Sequence, residues 1–198
     1  MRVAIIKYNA GNIYSVDYAL KRLGINAIVT GDEEEIRSAD KVIFPGVGEA
    51  KSTMEYLKSE GLDRVIKGLT RPVLGICLGM QLMCRFSEER EVECLNIFDA
   101  EVKRFIPSRW EDKVPHMGWN TLNDTKGPLF PEELRDQYVY FVHSYYVPLT
   151  DYTVAATDYI QPFSAGLQKD NFYATQFHPE KSGKIGEMIL KNFLSDCL

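Results

Sequence analysis

Short apolar runs alternate with amphipathic stretches through the first half of the chain. "RVAIIKY" (2–8), "NAIVTG" (26–31), "KVIFPG" (41–46) and "PVLGI" (72–76) have the length and composition of strands. Between them, "SVDYALKRLG" (15–24) places Val16, Ala19, Leu20 and Leu23 on one helical face, with Gly24 as a C-terminal cap. "DEEEIRSA" (32–39) opens with Asp32 as an N-cap and carries acids in its first turn, where the helix dipole favours them. Met54 and Leu57 mark the apolar side of a helix near 49–59, and "LGMQLMCRF" (78–86) reads as the helix behind the fourth strand. Strands alternating with helices predict βαβ units and a parallel sheet.

The second half changes period. "AEVKRF", "VPHMGWN", "YVYFVHSYYV", "YTVAATDY", "FSAGLQ" and "NFYATQFH" read as strands on short connections, with Lys169-Asp170-Asn171 as a hairpin turn. The stretch 184–196 spaces Ile185, Met188, Ile189 and Phe193 for a closing amphipathic helix. No repeat, low-complexity segment or linker interrupts the chain. The expectation is one α/β domain over 1–198, a mixed, largely parallel sheet flanked by helices in a flavodoxin-like three-layer arrangement.

Composition narrows the function classes. The formal net charge is −5 with no basic tract, which argues against a nucleic-acid surface. No apolar run approaches the ~20 residues of a membrane span, and Met1 leads directly into the first strand without a secretory signal. The four cysteines, at 77, 84, 94 and 197, fit neither a disulfide framework nor a zinc motif. They read as free thiols of a cytoplasmic protein with no metal and no cofactor.

One cysteine has a special setting. In "GICLGMQ", Cys77 lies between Gly75 and Gly79 where the fourth strand turns into a helix. A side chain on such a sharp turn is pushed out at the C-terminal edge of the sheet, where open α/β sheets bind ligands. The following helix N-terminus favours the thiolate, and the backbone N–H of Leu78 points to where an oxyanion would form. Taken alone, the elbow leaves a small core cysteine and a nucleophile about equally open. Cys84, Cys94 and Cys197 read as structural.

A nucleophile needs a base, and the chain has three histidines, at 116, 143 and 178. His178 ends an apolar run in "QFHPE". Glu180 follows two positions on, a spacing that puts both side chains on one face of an extended segment. A carboxylate there accepts from one imidazole nitrogen while the other faces the thiol. "PGVG" (45–48) ends the third strand of the same sheet. Its two glycines allow a switchable peptide, so Val47 N–H is a second candidate oxyanion donor.

G-x-C-x-G-x-Q with a late H-P-E resembles the class I, or triad, glutamine amidotransferases. Within that family, "GNIYSV" (11–16), "FPGVG" (44–48), "VPHMGWN" (114–120) and "YFVHSYY" (140–146) are similar to the glutaminase subunits of imidazole glycerol phosphate synthases. One departure is "KYNAGN" (7–12), where members read like D-Y-G-x-G-N.

The resemblance implies that Cys77 attacks the glutamine amide, His178 moves the proton and Glu180 orients the ring. It implies substrate contacts at Gly48, Gln81, Glu89 and the backbone of Ser144 and Tyr145. It also implies a heterodimer with a (β/α)8-barrel cyclase that receives the ammonia and binds the nucleotide. Trp119 and Asn120 would lie at that interface, with His116 and His143 structural or behind the site. The expectation for the isolated chain is a mis-set oxyanion loop with Val47 N–H turned away. Competing readings are a glutaminase serving another synthase, a decayed interaction subunit, and a stand-alone cysteine hydrolase.

Overall fold

Short strands without polar alternation build the centre of the molecule, a computed structural model that describes residues 1–8 and 13–197. β1 (Val3–Ile6), β2 (Ile28–Thr30), β3 (Lys41–Phe44) and β4 (Val73–Ile76) are linked by α1 (Ile13–Arg22), α2 (Glu33–Arg37) and the pair α3 (Ala50–Ser59) and α4 (Leu62–Lys67). Every residue of β1, β3 and β4 is buried, as strands covered on both faces require. After α5 (Leu78–Met83) come β5 (Cys84–Ser87), β6 (Val92–Glu93), β7 (Phe98–Arg104), β8 (His116–Thr121), β9 (Tyr138–His143) and β10 (Tyr145–Tyr146). β11 (Thr153–Asp158), β12 (Pro162–Lys169) and β13 (Phe172–Thr175) lead to the closing α6 (Gly183–Ser195).

Among the described residues the central sheet has seven strands in the order β11-β12-β13-β4-β3-β1-β2. The five from β13 to β2 are parallel, and β12 and β11 add antiparallel. Successive residues of β1 point to opposite faces. Val3 and Ile5 pack with Val16 and Leu20 of α1 and Phe193 of α6, whereas Ala4 and Ile6 join Met54, Leu57 and Ile66 from α3 and α4. The register aligns Thr175 with Ile76, so the chain leaves β13 beside the point where it leaves β4. That alignment is what brings two distant motifs to one edge.

Several local signals operate as expected. Asp32 caps α2 by accepting from Glu35 N at 2.9 Å, a contact worth about 1 kcal/mol. Gly24 takes φ 78° after α1, and Asp170 takes φ 51° in the two-residue turn that pairs Lys169 with Phe172.

Other expectations are corrected. The second-half strands do not all join one sheet. β10, β7, β5 and β6 form a separate four-stranded sheet, and β8 and β9 form a two-stranded ribbon. The helix read over 78–86 stops at Met83. The N–H groups of Leu95, Asn96 and Ile97 claim the carbonyls of Leu82, Cys84 and Met83, and Cys84 turns extended to open β5. Cys84 is still fully buried. α4 was not anticipated, although Leu62, Val65 and Ile66 give it a buried face. On α6 the core face is turned from the expected one: Gly186, Ile189, Leu190 and Phe193 are buried, while Met188 is 40% exposed. In "KYNAGN" and "GNIYSV", residues 9–12 lie outside the described residues. No described helix is long and apolar enough to cross a membrane.

Candidate active site

Cys77 sits between β4 and α5 with φ 53° and ψ −107°, a conformation that L-residues rarely adopt. Close backbone approach explains the glycines around it. A Cβ on Gly79 would lie 2.1 Å from the Phe44 carbonyl oxygen, and one on Gly75 would lie 2.8 Å from Met83 Sδ. The elbow is thus wedged against the end of β3. Gly79→Ala must displace backbone, so we expect it to cost about 3 kcal/mol or more, or a Tm loss of about 6–12 °C for a domain of this size. Thermal unfolding of the purified variant measures this directly.

His178 is carried three residues beyond β13 and held by its N–H on the Tyr140 carbonyl at 3.0 Å. Its Nδ1–H donates to Glu180 Oε1 at 2.7 Å, and both side chains are essentially buried. The expected extended geometry is not what joins them. Pro179–Lys181 forms a 3-10 turn that folds Glu180 back onto the ring, because proline favours the first position of such a turn. The other side of the ring faces Cys77. Burial opposes a charge on His178, but the field and hydrogen bond of Cys77, with those of Glu180, outweigh it and lift the imidazole to about 10.

Cys77 and His178 open on a cavity of about 380 Å³ that is also lined by Val47, Gly48, Gln81, Glu89, Ser144 and Tyr145, with Glu180 behind His178. Gln81 Nε2 donates to the Tyr145 carbonyl at 2.9 Å and to Gln176 Oε1 at 3.0 Å. Glu89 accepts from Ala50 N at 2.8 Å, and burial raises its pKa above the ordinary carboxylate range. Gly48 takes φ 122°, which favours glycine.

Neither of the two candidate oxyanion donors is directed at the cavity. Leu78 N–H donates instead to the Gly46 carbonyl at 3.4 Å. In a trans peptide the carbonyl and the next N–H point in opposite directions, so Val47 N–H faces away from the elbow. Trp119 and Asn120 lie on β8, outside the cavity lining. Trp119 is 55% exposed, so it is not a core side chain.

Sequence reasoning missed three contributors. Gln176 Nε2 points at Cys77 Sγ from 3.8 Å, and its position two residues before His178 was the available signal. His143, expected to be structural or behind the site, lines the cavity itself. Tyr8, fully within the core, donates its hydroxyl to the Pro45 carbonyl at the base of the "PGVG" turn. No pattern in the sequence links those two segments.

A strained cysteine facing a carboxylate-tethered imidazole, at the edge of an α/β sheet, is the geometry of a nucleophilic hydrolase site. The glutamine amidotransferase class-I family model matches residues 4–197. The imidazole glycerol phosphate synthase subunit HisH of Bacteroides thetaiotaomicron is 69% identical over 194 residues, covering 98% of this chain and 99% of that protein. The protein of the same name from Idiomarina loihiensis is 46% identical over 195 residues, covering 98% and 97%. Among solved structures, a glutamine amidotransferase shares the fold with a TM-score of 0.75 at 19% identity, over 98% of this chain and 97% of that one. The chain belongs to the class-I glutamine amidotransferase family, in the branch formed by the HisH subunits of imidazole glycerol phosphate synthase.

Proposed function

We propose that this chain is the glutaminase subunit of an imidazole glycerol phosphate synthase of histidine biosynthesis. The observation that carries the chemistry is the strained Cys77 beside a His178 held by Glu180 at 2.7 Å. Cys77 Sγ attacks the side-chain carbonyl carbon of glutamine and forms a tetrahedral oxyanion. His178 gives its proton to the departing nitrogen, and ammonia leaves from a glutamyl thioester. Water, deprotonated by His178, then cleaves the thioester and releases glutamate. Glu180 keeps the proton on Nδ1, so that Nε2 serves the reaction. Gln81, Gly48, Glu89 and the Ser144–Tyr145 backbone hold the substrate. Glu89 is the partner for its α-ammonium, and its half-buried carboxylate suits a charge it must neutralise.

Ammonia released into water is protonated and lost as a nucleophile. The synthase solves this by passing it to a (β/α)8-barrel cyclase that makes imidazole glycerol phosphate and an aminoimidazole carboxamide ribotide. The cyclase docks on the face bearing Trp119 and Asn120, and the pair works in the cytoplasm.

The isolated chain should be a slow glutaminase, since Gly46 O occupies Leu78 N–H and Val47 N–H is turned away. One oxyanion donor is worth about 3–4 kcal/mol, or roughly 10²–10³ in rate. Glutamate release is therefore expected to rise by at least that factor when cyclase and nucleotide are added. Full activity in the chain alone would remove the gate while keeping the glutaminase. No activity in any mixture would overturn the function itself.

A further inference from the structure

His116 and His143 are buried on the β8–β9 ribbon and take no part in the chemistry above. Their protons can be assigned from hydrogen bonds alone. His143 Nδ1 lies 2.7 Å from the Tyr145 carbonyl, which can only accept, so Nδ1 carries the hydrogen. In a neutral ring Nε2 is then an acceptor, and its neighbour, His116 Nδ1 at 3.1 Å, must donate to it. His116 Nε2 is left as an acceptor for Asn120 Nδ2 at 3.4 Å. The amide of Asn120 is itself oriented, since its oxygen accepts from Thr121 N at 2.8 Å and its nitrogen donates to the Asp158 carbonyl at 2.9 Å.

The chain does not stop at Tyr145. The same carbonyl accepts from Gln81 Nε2, which also donates to Gln176 Oε1, and Gln176 Nε2 points at Cys77 Sγ. We propose that His116 and His143 are positioning residues: an oriented relay, Asn120 to His116 to His143 to the Tyr145 carbonyl, that fixes the glutamine-binding edge and ties it to the exposed β8 face. The inference rests on the glutaminase reading for its substrate and adds two residues and a direction to it.

The relay works only while both rings are neutral, because a second proton on either one sets two donors against each other. The surroundings enforce this. Phe105, Phe141 and Phe163 pack on the rings, Tyr159 stacks on His116 at 4.0 Å, and His178 sets a further positive charge against His143. Burial pushes His116 down to about 4 and His143 down to about 3.

The test has two readouts. In the full chain labelled with ¹⁵N-histidine, NMR should show His116 and His143 as neutral Nδ1–H tautomers from pH 8 to pH 5.5. An Nε2–H tautomer or an imidazolium at either ring overturns the relay. In the complex with its cyclase, His116→Ala should raise KM for glutamine about tenfold with kcat within about twofold. His116→Asn replaces the Nδ1 donor with an amide N–H and should restore KM to within about threefold of wild type, although it lacks the ring's packing. If Asn and Ala behave alike, the rings only fill space and the proposal fails. Should wild type hydrolyse no glutamine at all, the function reading falls, while the tautomers still decide whether the relay exists.

Discussion

Cys77→Ala is expected to lower glutamate release by on the order of 10⁵-fold or more, in the chain alone and in its complex, while leaving the fold intact. Two features make the variant clean. Both residues carry a Cβ, so the φ of 53° that strains cysteine strains alanine no further. The elbow's packing also depends on Gly75 and Gly79 rather than on the sulfur. The remaining thiols supply internal controls. Burial pushes Cys94 and Cys197 up to about 12 and Cys84 higher still, so none of the three is a nucleophile at neutral pH. Cys94→Ser should keep wild-type turnover. A carboxamide-directed alkylating analogue of glutamine should label Cys77 alone, as read by peptide mass spectrometry. Residual turnover in Cys77→Ala above a hundredth of wild type would remove the covalent mechanism.

The sequence made the central sheet legible because parallel strands buried on both faces leave continuous apolar runs, as in "VAII" and "VLGI". The glycines flanking Cys77 were legible for a related reason, since close backbone approach excludes a Cβ and leaves few residue choices. Pairing partners were not legible. Nothing in "CRFS" says that its edge will be claimed by β7 rather than continue as helix, because that choice depends on backbone donors twelve to fourteen residues away. The orientation of the Gly46–Val47 peptide was equally hidden. Two glycines permit either orientation, and the choice rests on contacts with Leu78 N and, one residue earlier, the Tyr8 hydroxyl. The His116–His143 pair was hidden because a long-range cross-strand register, not a local motif, sets the two rings together. Function was legible where a few spaced residues must meet at one point, and illegible where long-range hydrogen bonds set the geometry.

Glu180→Gln is the second large effect expected, a loss of about 10³–10⁴-fold in kcat with KM for glutamine nearly unchanged. The amide fills the same volume in the 3-10 turn but removes the charge that Nδ1–H meets at 2.7 Å. A glutamine can also present its NH₂ group to the ring, which favours the tautomer with Nε2 protonated towards Cys77. The pH dependence then carries a definite sign. In the wild type His178 is raised from the ordinary 6.5 to about 10, with Glu180 contributing to the rise. Its proton therefore stabilises the fold fully below about 6.5, and that contribution is lost as pH rises through about 10. Without the carboxylate the folded value falls towards the unfolded one. The contribution shrinks, and what remains is lost at lower pH. Thermal melts between pH 6 and 10 should accordingly show a smaller alkaline decline in Glu180→Gln than in wild type. The alkaline limb of the rate profile should move towards acid in the same variant. Rates and limbs equal to wild type at every pH would mean that Glu180 neither orients nor charges the ring, and its place in the triad would fall.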